Sequence, residues 1–154
     1  MNKMQPQIVG RQLVKTLLDN KWQVIGLSRH ALSHSDAISL INVDLLDAED
    51  SARALQAAGE ITHIFYSAWM NAGSWTEMVE PNVTMLRNLV SNIEKTAPLQ
   101  TVSLMQGYKV YGAHLGPFKT PARESDPGVP GAEFNAAQLA WLRDFQRGKR
   151  WHWN

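Results

Sequence analysis

The chain has 154 residues, 44% hydrophobic and 19% charged, with 15 lysines and arginines against 14 aspartates and glutamates. That balance suits one ordinary globular domain and supplies neither the broad basic field that nucleic acid requires nor an acidic tail. With no cysteine there is no disulfide framework and no thiolate metal site, and the polar Met1 to Gln7 resemble no signal peptide, so a cytoplasmic protein without a membrane span is expected.

Helix-like and strand-like segments alternate. Apolar residues at 8, 9, 13, 14, 17 and 18 form a helical stripe from Ile8 to Leu18, closed by Asp19-Asn20. Trp22 to Leu27 and Ser39 to Val43 read as short buried strands. Asp47 to Ala58, rich in Ala, Leu, Glu and Arg, reads as a crossover helix ended by Gly59. Ile61 to Tyr66 is a third strand, Trp75 to Lys95 a long amphipathic helix, and Thr101 to Met105 a fourth strand beyond Pro98. A loop rich in Pro and Gly runs from Gly107 to Gly131. Phe134 to Gln146 is then a helix, and Trp151-His152-Trp153 begins a strand. Strands and helices at this spacing predict βαβ units and a parallel sheet, with ligands beyond the carboxyl ends of the strands.

The residues that follow strands are therefore the candidates for chemistry. Arg29, after Ser28, stands where doubly wound dinucleotide folds meet the adenosine ribose, and a guanidinium there can take a 2′-phosphate bidentately. This favours NADPH over NADH, against the alternative of a solvated loop arginine. Asp44 ends the second strand and is suited either to the adenine amino group or to capping the next helix, for which Asp47 competes. Ser67-Ala68-Trp69 follows the third strand and Gln106-Gly107-Tyr108-Lys109 the fourth. The five histidines show no HxH or HExxH spacing, so no metal is expected.

Gln138-Leu139-Ala140-Trp141-Leu142 and Arg147-Gly148-Lys149-Arg150-Trp151, preceded by Gly116-Pro117-Phe118 and Glu124-Ser125-Asp126-Pro127, resemble the progesterone 5β-reductase and iridoid synthase-like group of short-chain dehydrogenases/reductases. Ile8-Val9-Gly10, Gly26 to Arg29, Thr62 to Tyr66 and Asn82 through Asn88 extend the resemblance over nearly the whole chain. It implies an α/β fold, here an incomplete Rossmann-like doubly wound parallel sheet with helices on both faces. It also implies an NADPH-dependent reductase delivering hydride to the β-carbon of an enone or enal, with a small-molecule substrate. Lys109 matches the family's lysine, which would hold the nicotinamide ribose and stabilise negative charge on a carbonyl oxygen. Trp69 matches a position near the nicotinamide, and Asn82 one that orders the lysine in related enzymes.

Three departures from the family qualify this expectation. Asn135, in Phe134-Asn135-Ala136, occupies the place of the catalytic tyrosine; its amide can donate to an oxyanion but cannot transfer a proton as a phenol does. The alternative Tyr-X-X-X-Lys signature would fall on Phe134 and Gln138, leaving Tyr108 and Tyr111 as substitutes. Gly10 alone remains of the glycine-rich turn, and residues 1–7 are too short for the first strand and turn. The chain ends at Asn154, where the family continues toward its substrate-binding part. The expectation is thus one partial NAD(P)-binding domain over residues 1–154. The alternatives are a non-catalytic nucleotide-binding or interaction protein, or an inactive truncated product. A homodimer through the two long helices would show itself as an exposed apolar stripe on them.

Overall fold

In the computed structural model, residues 8–29, 38–129 and 133–154 are described; the expected departures at residues 1–7 lie outside them. The chain divides into two compact units, Met1–Asp44 and Leu45–Asn154.

In the first unit, α1 spans Ile8–Asp19, β1 Ile25–Ser28 and β2 Ser39–Asn42. Leu13, Val14, Leu17 and Leu18 are half-buried while Arg11, Gln12, Lys15 and Thr16 are exposed, as the stripe requires. β1 begins three residues later than the apolar run suggested, because the end of α1 consumes the intervening chain. The Trp22 amide donates to Leu17 (3.0 Å) and the Lys21 amide to Leu18 (2.9 Å), a Schellman closure with Lys21 left-handed at φ 62°. A lysine pays for its Cβ there, so Lys21→Gly is expected to stabilise the unit by about 1 kcal/mol, read from a denaturant midpoint at unchanged slope. β1 and β2 pair in parallel, with Ile25 opposite Ser39 and Ser28 opposite Asn42.

In the second unit, α2 (Ala48–Ala54) is followed by a 3-10 turn (Leu55–Ala58), β3 (His63–Tyr66), α3 (Trp75–Thr96), β4 (Thr101–Leu104), α4 (Phe134–Gln146) and β5 (His152–Trp153). The Asp47 carboxylate caps α2, accepting from the Glu49 and Asp50 amides at 2.9 and 3.0 Å. Gly59 does not provide the left-handed stop expected of it: its φ is −64°, and α2 has already tightened into the 3-10 turn. α3 starts at a Ser74 cap, whose hydroxyl accepts from the Glu77 amide and donates to the Glu77 carboxylate.

β3, β4 and β5 form a parallel sheet with β4 central: Tyr66 lies opposite Leu104, and Thr101 opposite His152. Ile64, Tyr66, Val102 and Leu104 face the core with Leu86, Leu89, Val90 and Ile93 of α3 and Leu142 of α4. Their alternation with exposed or half-buried His63, Phe65, Thr101 and Ser103 is the period of two that buries one sheet face.

Two polar links lock this arrangement. Gln138, buried in α4, donates to the Asn82 carbonyl of α3 at 2.8 Å, a structural use of the position where the common signature has lysine. Glu94 of α3 accepts from Lys149 (2.6 Å) and from the Trp151 indole (3.3 Å), while Gln146 donates to the Trp151 carbonyl (2.7 Å). Gly148, at φ 77°, permits the turn between them. Trp141 stacks on Phe145, and Phe145 meets Trp151 at a tilt of 40°, as packing aromatics.

The apolar sides of α3 and α4 are consumed by packing on one another and on the sheet. Of the large exposed hydrophobic residues described, only Trp75 lies on either helix. Among the described residues no helix is long and apolar enough to cross a membrane.

Candidate active site

The carboxyl ends of β3 and β4 release two segments side by side: the Met105 amide donates to the Tyr66 carbonyl at 2.9 Å before the chains diverge. Residues 67–74 lead to the start of α3. Gly107 leads to a 3-10 turn, Tyr108–Tyr111, that carries Lys109. Gly112 ends this turn at φ 83°, and a Cβ there would lie 2.7 Å from Val129, so conformation and space both call for glycine. The Val129 amide, donating to the Val110 carbonyl at 2.8 Å, ties the following loop to the turn.

Between these segments lies an open cavity of about 610 Å³, lined by Trp69, Asn71 to Trp75, Met78, Lys109 and Phe134. Trp69 forms part of its wall, as expected from its place after β3. Ser67 is half-buried and Ala68 exposed, and neither lines it. The Lys109 ammonium lies over the Trp75 ring, 4.7 Å from its centroid, and makes no ion pair among the described residues.

Asn82, which the resemblance matches to an asparagine that orders the lysine, is fully buried, and its described side-chain hydrogen bonds run to the Met70 and Met78 backbone. Its oxygen accepts from the Met70 amide at 2.8 Å, and its nitrogen donates to the carbonyls of Met70 (2.8 Å) and Met78 (2.7 Å). It thereby pins the segment bearing Trp69 and Asn71 to α3.

Asn135 does not take the place expected for an oxyanion donor. It is 7% exposed, is absent from the cavity wall, and donates its amide to Glu133 at 2.6 Å. Glu133 itself caps α4 through the Ala136 amide, so this pair serves the helix terminus. The Asn135 carbonyl accepts from Gln106 at 2.6 Å, joining α4 to the segment after β4. Tyr108 is 67% exposed, with its ring 6.0 Å from that of Phe118, and Tyr111 is half-buried; neither lines the cavity. The Tyr66 hydroxyl is buried with no partner of hydrogen-bonding geometry, and burial pushes its pKa up, opposed in lesser part by Gln138.

The first unit holds the other candidates. Arg29 is exposed immediately after β1, while Ser28 is half-buried at the strand's last position, its carbonyl accepting from the Val43 amide at 2.9 Å. Asp44 is half-buried; the α2 cap is Asp47. Gly10 lies within α1, and nothing described would come within 4 Å of a Cβ there. His30 and His34 lie outside the described residues, and no group of three or more His, Asp or Glu residues suited to a metal occurs among those described.

Parallel strands joined through helices, with a cavity at their carboxyl ends, define a Rossmann-like α/β protein. The model of the NAD dependent epimerase/dehydratase family matches residues 8–147, and the chain belongs to that family. It is 38% identical over 120 residues to a 3-oxo-Delta(4,5)-steroid 5-beta-reductase of Arabidopsis thaliana, covering 72% of this chain and 30% of that protein. It is 34% identical over 121 residues to an (S)-8-oxocitronellyl enol synthase of Camptotheca acuminata, covering 73% and 30%. A short chain dehydrogenase of Penicillium aethiopicum is 34% identical over 102 residues, covering 64% and 27%. These relatives bear out the resemblance to the 5β-reductase and iridoid synthase-like group, and the chain spans less than a third of the length of each.

Among solved structures, a short-chain dehydrogenase/reductase superfamily protein from Agrobacterium tumefaciens with bound NAD superposes with a TM-score of 0.72 at 17% identity, covering 94% of this chain and 44% of that one. The Thermus thermophilus UDP-glucose 4-epimerase complex with NAD gives 0.72 at 20% identity, covering 95% and 50%. At such identities the likeness establishes the fold, which is the expected one.

Proposed function

We propose that this chain is the nicotinamide-cofactor-binding part of an NADPH-dependent reductase acting on the conjugated double bond of an enone or enal, or on a carbonyl. The observation that carries the reading is Lys109: an ammonium with no carboxylate partner among the described residues, on the wall of an aromatic-lined cavity beyond the ends of two parallel strands. The names of the Arabidopsis and Camptotheca relatives supply the reaction class.

The residues present fit such a cofactor. Lys109 and Asn71 offer polar groups, and Trp69 a flat apolar wall, suited to a nicotinamide riboside and a planar acceptor. In the first unit, exposed Arg29 suits a 2′-phosphate, with Ser28 and Asp44 beside the strand ends for the adenosine moiety.

Bound NADPH supplies the hydride. Lys109 holds the substrate carbonyl oxygen and stabilises the negative charge that develops on it. Trp69 and Met78 restrict the acceptor to a plane. Asn135, already committed to Glu133, supplies no proton, so protonation of the enolate at its α-carbon, or of the alkoxide oxygen where a carbonyl is reduced, falls to water entering the open cavity.

Calorimetric titration with NADPH and NADH, followed by NADPH consumption with a cyclic enone, tests the reading. Micromolar NADPH binding with turnover is expected. Arg29→Ala should weaken NADPH by roughly 10- to 100-fold, the value of a charge-assisted bidentate contact, and NADH by less than about two-fold. Equal losses for both would remove Arg29 from the 2′-phosphate. The alternative, a protein that binds the cofactor without turning it over, is favoured by the commitment of Asn135 to Glu133, and would appear as binding with no NADPH consumed.

A further inference from the structure

Lysine carries its charge on a flexible four-carbon stem, so an ammonium that acts at one point has to be held there. For Lys109 the described residues provide no carboxylate to do so. They provide an aromatic face. Trp75 is the first residue of α3, directly after the Ser74 cap, so its backbone is fixed by the helix start and its side chain lines the cavity. The Lys109 ammonium lies 4.7 Å from the centroid of its ring, within the range of a cation–π contact. The same indole is buttressed by the His114 ring at a centroid distance of 4.4 Å and a tilt of 43°. His114 is half-buried, and its Nδ1 is buried with no hydrogen-bond partner among the described residues, so the ring's described role is packing.

We infer that Trp75 is a positioning residue, whose indole, backed by His114, holds the Lys109 ammonium at the cavity without neutralising it. The inference rests on the reading of Lys109 as the carbonyl-binding group. A carboxylate in the place of Trp75 would hold the lysine more firmly but would spend its charge in an ion pair. The ring quadrupole attracts the cation through its face and leaves N–H donors for a substrate oxygen. An aliphatic side chain would fill the same space with no such attraction. The electrostatic role thus belongs to Trp75 and the mechanical one to His114.

The test is made on the full chain with lysine carbon-13-labelled at the ε position, the Lys109 signal being identified by its loss in Lys109→Arg. Without ligand, its ε-methylene resonance is expected upfield of exposed lysines through the ring current of Trp75. It should stay upfield in Trp75→Phe and His114→Phe, return to the exposed position in Trp75→Leu, and move part of the way in His114→Ala. Where Trp75→Leu does not fold, His114→Ala against His114→Phe carries the comparison, since His114 lies on the indole and not on the cavity wall. With NADPH and a cyclic enone, Trp75→Leu should lower kcat about five-fold, the scale of an exposed cation–π contact, with a smaller change in NADPH affinity and recovery in Trp75→Phe. A Lys109 resonance at the exposed position in the unaltered chain, or one left upfield by Trp75→Leu, overturns the inference. A resonance that responds as expected in a chain that turns over no NADPH sustains the platform and overturns the reductase reading instead.

Discussion

Lys109→Ala is expected to lower kcat by about a hundred- to a thousand-fold, the loss typical of removing one preorganised donor from a developing oxyanion, with NADPH affinity falling far less. The effect is large because, among the described residues, no other cation lines the cavity to replace the ammonium. Lys109→Arg should recover only part of the rate: a planar fork keeps the charge and can stack on Trp75, but spreads it over a longer, rigid group instead of presenting a compact ammonium to the carbonyl oxygen. The measurement is steady-state NADPH consumption with a cyclic enone, read beside a direct cofactor titration. An unchanged kcat in Lys109→Ala would mean that another group stabilises the oxyanion, and would remove Lys109 from the reaction.

Much of the fold was legible because it depends on local patterns. α4 runs from Phe134 to Gln146 as its composition and period predict, and α3 is misjudged by one residue at its end. The errors are physical. Trp22 looks like a strand residue, but its amide is taken by Leu17 in closing α1, and β1 waits until Ile25. Gly59 looks like a helix stop, but the chain tightens into a 3-10 turn first and needs no left-handed residue there. Hydrophobic period identifies an element; the hydrogen bonds at its ends set its limits.

The site was legible to the extent that topology fixes it. Lys109 and Trp69 line the cavity because they follow β4 and β3, and any parallel sheet points such residues the same way. Trp75 is one of six tryptophans. Composition cannot separate it from Trp141 or Trp151, which do pack, yet its place after the Ser74-X-X-Glu77 cap puts it at a helix start beyond a strand end. That signal was available. The orientation of Asn135 was not: a match to the family's tyrosine position says nothing of Glu133, two residues earlier, whose carboxylate takes the amide for itself. His114 was considered only as a metal ligand, and its contact with Trp75 spans 39 positions of sequence that no spacing rule connects.

Asn82→Ala is expected to cost about 2–4 kcal/mol, a large share of the roughly 5–15 kcal/mol that holds a domain of this kind together. Asn82 is fully buried and makes three hydrogen bonds, so truncation leaves the Met70 amide and two carbonyls to find partners where water enters poorly. Met70 is half-buried and can recover part of the loss through solvent, which keeps the cost below the sum of three orphaned groups. The denaturant midpoint should fall at constant slope. Asn82→Asp is the sharper comparison. Its carboxylate can still accept from Met70 but faces two carbonyl oxygens, so burial and repulsion raise its pKa above the unfolded value. Stability is then fully kept below the unfolded carboxylate range and lost as pH rises through the folded pKa. Because the same bonds pin the segment carrying Trp69 and Asn71, both variants should also weaken ligand binding under conditions where they remain folded. A loss of stability without any loss of binding would mean that the cavity wall is held from elsewhere, and that Asn82 serves the helix alone.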